Sequence, residues 1–329
     1  MPKRTSDDLL EEIREAKGNL EEEKGGYSRL IALYRELRQQ LRRENDRDLA
    51  KDVEKKLIYY LVEYGPYRKT VYRKEEKAAI DSLKQALHFE DHLPLAHYRL
   101  GLLYSRRRRF TEAGSHFSKA VEVQGRAERF PLNERQLYYA HLYLIASELH
   151  VLQDVHEKMN VLSVPGKYEP FSSSDMAGLY EKLQATESYL NDHAFLKITG
   201  ERKEFLSKEE VEETLLHKKR GTGHLYVGDE TIEVGFDGKT EEISRDDGKI
   251  LYYLLQSSRE EPLDAGVMAE LTGEEGEVRS TTFRQRVKRL SRLLEEVGLT
   301  DVLAMERGIC TFTAAVPFII VHRADEQLH

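Results

Sequence analysis

Apolar residues recur at helical spacing through the first two-thirds of the chain, with charged and polar residues between them. This spacing predicts amphipathic helices whose apolar faces pack together. Beyond about residue 222 the apolar positions alternate, which is typical of strands, before helical spacing returns. Within the first part, helical spacing covers 6–64 (two or three helices), 75–90, 95–123, 133–155 and 173–190. The pattern predicts a multidomain, mainly α chain with an α+β C-terminal part.

The clearest internal repeat lies at 95–123. Small residues stand where two helices of one unit would touch, and large rings stand beside them. The positions that carry this pattern are Leu100, Gly101, Tyr104, Ala113, Phe117 and Ala120. Their spacing resembles one unit of the tetratricopeptide repeat (TPR) family. Counting back one period of about 34 residues places the second helix of a preceding unit at 75–90.

The resemblance implies a TPR-like helical solenoid over 1–190. Such a solenoid would bind an extended peptide or a partner helix on its concave surface, or would dimerise. Tyrosines are the candidate residues for that surface, and the alternative for the same rings is a place in the core. The candidates are Tyr98, Tyr104, Tyr138, Tyr139 and Tyr143. The arginine run 106–109 falls at the turn between the two helices of the repeat, where a solvated turn is the simpler interpretation.

A connection follows the helical part. Segment 191–222 is predicted to be a linker with a short strand at 194–200 and a short helix. Ser207 and Glu210 have the spacing of a capping box, which marks the start of that helix.

The next hundred residues, 223–322, are predicted to form a separate α+β domain, with 323–329 as a tail. The expected order is a strand meander, a helix, a shorter helix, a basic helix and a hairpin, with one further candidate strand. The corresponding segments are 225–227, 231–235, 239–243, 245–256, 265–271, 279–296, 302–306, 309–313 and 318–321.

The basic helix at 279–296 contains the candidate binding residues. Its apolar residues fall at helical spacing, so that one face is predicted to be buried. Between Arg279 and Leu294 there is no acidic residue, although the whole chain has a net charge of −8. A basic stripe on an acidic protein favours contact with phosphate groups. An acidic stretch at 273–277 precedes it and opposes that contact.

This order of elements, with Arg307-Gly308 in the hairpin turn, resembles the OmpR/PhoB-type winged helix-turn-helix family. The resemblance implies a DNA-recognition helix at 279–296 and a wing around Arg307. Cys310 and Thr311 stand where the family has a glycine and an aromatic residue. The candidate DNA-binding residues are Arg279, Thr281, Thr282, Arg284, Gln285, Arg286, Lys288, Arg289, Arg292 and Arg307.

Roles within this set follow from side-chain chemistry. Arg284 and Gln285 are the candidates for base contacts, since both form bidentate hydrogen bonds with base edges. The candidates for phosphate contacts are Arg279, Lys288, Arg289 and Arg292.

The composition bears on disulfides, zinc sites and membrane segments. Cys310 is the only cysteine, which excludes an intrachain disulfide and a cysteine-based zinc site. No apolar run approaches the ~20 residues of a membrane span, and the first residues lack a signal-peptide core, so a cytoplasmic protein with no membrane contact is expected.

Motifs for phosphate loops, dinucleotide binding, nucleophile elbows and the HExxH metal site are absent from the sequence. We therefore expect no enzymatic activity, no cofactor and no metal. The predicted function is sequence-specific binding of double-stranded DNA by a transcriptional regulator, with protein or peptide binding by the helical part and a homodimer as one option. The alternative is a non-enzymatic scaffold or adaptor in which both parts bind proteins.

Overall fold

The computed structural model describes residues 4–18, 26–63, 73–163, 165–217, 219–228, 231–257, 262–273, 278–313 and 316–326. The chain divides into two compact units, Met1–Thr186 and Glu187–His329. The first unit is helical, and the second combines helices with a sheet. The prediction of a mainly α chain with a C-terminal α+β part is confirmed at this level.

The first unit consists of successive helices, each packed against the one before it as far as the seventh. A turn of 3₁₀ helix, Gln124–Arg126, follows the sixth. The helices are α1 (Ser6–Gly18), α2 (Gly26–Glu44), α3 (Arg47–Glu63), α4 (Arg73–Phe89), α5 (Pro94–Arg106), α6 (Phe110–Val123), α7 (Glu134–Val161) and α8 (Ser173–Asp192), whose end belongs to the second unit.

Local signals explain where these helices begin. Pro94 occupies the first position of α5, where its missing N–H costs nothing. Asn133 caps α7 by accepting a hydrogen bond from the backbone N–H of Gln136, and the Gln136 side chain completes a capping box. Between α5 and α6 the chain turns at Arg108, whose φ of 56° breaks the helix.

The helices α5 and α6 pack closely against each other. A Cβ atom added at Gly101 would lie 2.6 Å from the Phe117 ring, so only glycine fits against that ring. Ala113 and Ala120 on α6 are fully buried. The prediction that small residues lie where the two helices touch, with the Phe117 ring beside them, is therefore confirmed at Gly101.

The second unit contains the end of α8 and all later elements. In chain order these are β1 (Phe195–Thr199), β2 (Arg202–Leu206), α9 (Lys208–Leu216), β3 (Gly223–Val227), β4 (Ile232–Phe236), β5 (Lys239–Glu242), α10 (Arg245–Gln256), α11 (Ala265–Thr272), α12 (Ser280–Glu296), β6 (Leu303–Glu306), β7 (Ile309–Phe312) and β8 (Phe318–Arg323).

Six of the described strands form one sheet in the order β2-β1-β8-β3-β4-β5. The strand β8 lies at its centre, antiparallel to β1 and parallel to β3. Ile320 of β8 is in register with Ile198 on one side and Leu225 on the other, and all three side chains are buried. The β3–β4–β5 part is the antiparallel meander that the sequence predicts.

This sheet corrects two boundary predictions. Segment 191–222 is not a linker, because β1 and β2 pair with each other and β1 pairs with β8. The predicted tail 323–329 begins within β8, and Ala324 and Asp325 are buried. The sequence does not reveal the pairing of β1 with β8, because the partners in these two strands are more than a hundred residues apart.

The helices α10, α11 and α12 share one core with the sheet and with the β6–β7 hairpin. An isolated bridge between Leu263 and Cys310 attaches the chain before α11 to β7. Cys310 is fully buried there. None of the helices among the described residues has both the length and the apolar composition of a membrane span.

Candidate functional site

The predicted basic helix is α12, which is 17 residues long. Its apolar residues Phe283, Val287, Leu290 and Leu294 are all buried in the core. Their spacing of three and four residues places them on one side of the helix. This side fixes which of the other residues face outward.

The exposed side carries most of the candidate DNA-binding residues. Positions 281, 284, 285, 288 and 292 follow one another at intervals of one to four residues and lie opposite the buried side. The exposed residues of the segment are Arg279, Ser280, Thr281, Arg284, Gln285, Lys288, Arg292, Glu295 and Glu296, while Thr282 is partly buried. The first two turns of α12 therefore present positive charge and hydrogen-bonding groups, with the acidic residues confined to its end.

Four cations on this surface are available for a ligand. Arg279, Arg284, Lys288 and Arg292 form no ion pair with any other residue in the described parts of the chain. The acidic stretch 273–277 begins at Gly273, which ends α11 with a φ of 64°. Its other residues lie outside the described residues, so the predicted opposition to DNA stays a prediction.

Arg286 and Arg289 are placed differently from the other predicted contacts. Both are half-buried on the flank of α12. The Arg289 Nη2 atom donates a hydrogen bond to Asp247 Oδ1 of α10 over 2.6 Å. The prediction that Arg289 holds a DNA phosphate is therefore corrected, because its guanidinium is bound to a carboxylate inside the same unit. Arg286 lies close enough to Asp247 to stabilise its charge.

Asp247 is the residue that sequence reasoning missed. It is 1% exposed and lies in the first turn of α10, where the Ser244 side chain caps its backbone N–H. Burial raises the pKa of Asp247 to about 7; the Ser244 hydroxyl and Arg286 act against this, and Asp246 adds to it. Burial also lowers the pKa of Arg289 to about 10. The Ser-x-x-Asp spacing at 244–247 indicates a helix cap but not a partner on another helix.

The hairpin β6–β7 follows α12. Its turn consists of Arg307 and Gly308, both exposed and both with positive φ. A cleft of about 310 Å³ separates α12 from β6. It is lined by Val287, Lys288, Ser291, Arg292, Glu295, Leu303 and Met305. The lining thus combines cationic, acidic and apolar side chains from the helix and the hairpin.

The tyrosines predicted to line a groove in the first unit are mostly in its core. Tyr98, Tyr104 and Tyr139 are buried, so the prediction that they line a binding surface is wrong for these three. Tyr143 is half-buried and stacks on Phe117 with 5.3 Å between ring centroids. Only Tyr138 in this set presents a largely exposed side chain, at 51%.

The arginine run 106–109 lies at the turn between α5 and α6, as predicted. Arg107 pairs with Glu76 of α4 over 2.9 Å, and Arg109 pairs with Glu112. These ion pairs tie the turn to neighbouring helices. In the parts of the chain that the structure describes, no group of three or more potential metal-ligating side chains comes together.

The arrangement on α12 suits an extended anion better than a small molecule. Its cations lie in a row on an exposed surface, and arginine and glutamine side chains stand among them. No protein-family model, no curated protein and no solved structure matched this chain.

Proposed function

We propose that this protein is a sequence-specific DNA-binding transcriptional regulator that inserts α12 into the major groove. The observation that carries the proposal is the exposed side of α12, where Arg284, Gln285 and Lys288 project outward while the opposite side is anchored in the core. A helix fits the width of the major groove, and its outward side chains then reach base edges and phosphates.

The side chains divide by chemistry. Arg284 and Gln285 are proposed to contact bases, because Arg pairs with guanine and Gln with adenine through two hydrogen bonds each. Arg279, Lys288 and Arg292 are proposed to bind phosphates, which position the helix without reading sequence.

The elements around α12 support this proposal. Two helices precede it, a hairpin follows it, and the sequence resembles the winged-helix family in this order of elements. In that family the hairpin is the wing, and Arg307 at the exposed turn is proposed to contact the DNA backbone or minor groove.

The first unit is proposed to be a TPR-like domain that binds a protein or peptide, or dimerises. The support is the packing of Gly101 against Phe117 and the succession of helices packed in order. Since one small DNA-binding module gives limited affinity, a dimer would strengthen binding to a two-part site.

The experiment measures binding of the full-length protein to pooled genomic fragments and then to one selected duplex, at several salt concentrations. The logarithm of the affinity is expected to fall linearly with the logarithm of the salt concentration, with a slope of about −0.9 per phosphate contact. Lys288→Ala and Arg292→Ala are each expected to make that slope shallower by about 0.9, which corresponds to the loss of one phosphate contact. Neither should change the sequence preference.

Arg284→Ala and Gln285→Ala are expected to relax the sequence preference, with a loss of about 1–3 kcal/mol on the selected duplex. Arg14→Ala on α1 is the matched control, because it removes one exposed positive charge from the other unit. If the slope is near zero, or if all variants bind like the control, the proposal fails. Recovery of a stoichiometric protein partner with no bound DNA would instead favour the adaptor function.

A further inference from the structure

Four charged side chains meet where α10 begins and α12 passes it. Asp246 and Asp247 belong to α10, and Arg286 and Arg289 belong to α12. Both oxygens of the Asp247 carboxylate are held: Oδ1 accepts from Arg289 over 2.6 Å, and Oδ2 accepts from the Ser244 hydroxyl over 2.9 Å. The carboxylate is therefore held in one position, and α12 is bound to it through Arg289.

The hydrogen bond between Asp247 and Arg289 affects the orientation of the exposed side of α12. The hydrophobic contribution to the packing of α12 is not directional. A hydrogen bond between a buried carboxylate and a guanidinium is directional. Arg289 extends from the flank of α12, next to the exposed position of Lys288, so its attachment restricts the angle at which the outward residues are presented.

We propose that Asp247 is a positioning residue that holds α12 through Arg289, and that protonation of its carboxylate weakens this hold and lowers DNA affinity. The inference rests on the proposed function and adds a form of regulation to it. Asp247 contacts no DNA in this proposal, and its effect passes entirely through α12.

Burial is the main cause of the raised pKa of the Asp247 carboxyl group. Burial raises its pKa to about 7. The groups facing it are Ser244 and Asp246 from its own segment and Arg286 and Arg289 from α12. Above that pH the carboxylate is ionised and pairs with the guanidinium, whereas below it the neutral acid offers Arg289 no opposite charge.

Stability and DNA affinity should respond to pH in opposite directions. Because the folded-state pKa lies above the ordinary value of 3.8, protonation of Asp247 stabilises the fold, and this contribution is lost as pH rises through the folded pKa. The proposed hold on α12, in contrast, is strongest when the carboxylate is ionised. A merely structural role would make affinity follow stability, so the two pH profiles separate the alternatives.

The test compares full-length wild-type protein with Asp247→Asn on the selected duplex at constant ionic strength, from about pH 6 to about pH 8. The wild-type affinity, relative to that of Asp247→Asn, is expected to fall by up to about tenfold per pH unit as the carboxyl group is protonated. Taking the ratio removes the contribution of other titrating groups. Glu296→Gln, which neutralises an exposed carboxylate at the end of the same helix, is expected to keep the wild-type profile.

A second readout does not depend on DNA. In a pH titration of the wild type, the backbone amide resonances of α12 are expected to shift with the same midpoint pH as the carboxyl carbon resonance of Asp247. In Asp247→Asn, the amide resonances are expected to show no such shift. Arg289→Gln, which keeps a hydrogen-bond donor but removes the charge, is expected to move that midpoint to higher pH and serves if Asp247→Asn does not fold.

The inference is overturned if the affinity ratio is constant over this pH range, if the carboxyl group titrates near its ordinary value, or if the α12 resonances do not follow it. Absence of binding to any duplex at every pH is a failure of the proposed function instead. In that case the amide titration still decides whether Asp247 controls α12.

Discussion

The packing of Gly101 against Phe117 makes Gly101→Ala a sharp perturbation of the first unit. The new Cβ would lie 2.6, 2.7 and 2.8 Å from three ring carbons of Phe117, far inside van der Waals contact. The ring cannot move aside easily, because it is fully buried between Tyr98 and Tyr143 at centroid distances of 5.9 and 5.3 Å. The substitution must therefore separate α5 from α6 or distort the ring.

The magnitude follows from two opposing effects. Overpacking of a core costs about 1–3 kcal/mol, and the rigid surroundings of Phe117 favour the upper part of this range. Replacing glycine by alanine within a helix returns about 1 kcal/mol through helix propensity. We expect a net destabilisation of about 2 kcal/mol. Gly178→Ala on α8 is the control, because nothing lies within 4 Å of its added Cβ, and it should stabilise the protein by up to about 1 kcal/mol.

The assay is urea denaturation followed by circular dichroism, combined with hydrogen exchange of peptides that cover α5 and α6. Exchange in these helices is expected to accelerate in Gly101→Ala and to be restored toward wild type by the second substitution Phe117→Leu, which removes the ring. If Gly101→Ala is as stable as Gly178→Ala, the close contact does not exist and the reasoning is refuted.

Two further predictions concern titratable side chains. Burial lowers the pKa of His116 to about 4, and it also lowers the pKa of His97, whose Nδ1 lies 3.0 Å from that of His116. The two imidazoles bind protons less readily in the folded state than in the unfolded state, so the free energy of unfolding is expected to fall as pH drops from about 6.5 toward about 4. In acid denaturation, His116→Phe should make this decline less steep. An unchanged decline would contradict the explanation. Burial raises the pKa of Cys310 to about 11, so a thiol reagent at about pH 8 should modify it only after unfolding in urea, and rapid labelling of the folded protein would contradict its buried position.

Helix positions were the most accurately predicted feature, because helical spacing and capping signals are local. The Ser207–Glu210 capping box starts α9 as expected, and the basic helix begins within one residue of its predicted start. The sequence pattern does not predict the strand β2, since Arg202, Lys203 and Glu204 show no alternation of apolar and polar residues. At the edge of a sheet, a strand needs only one paired side, and charged residues there are common.

The candidate site was predicted only in part. Helical spacing separates the exposed Arg284 and Lys288 from the buried Phe283 and Val287 without knowledge of the fold. It does not show which flank of the helix faces another charged group, so helical spacing alone predicts a DNA contact for Arg289. Asp247 on α10 is 42 residues away in the chain, and only folding brings it to Arg289.

The sequence alone therefore determined the helices, the meander and the amphipathic character of α12, because these depend on interactions between residues a few positions apart. The tertiary structure decided which strand lies at the centre of the sheet, which tyrosines are in the core and which arginines of α12 turn inward. Those features depend on contacts between distant segments. Burial and pairing of charged side chains become defined only when such segments meet.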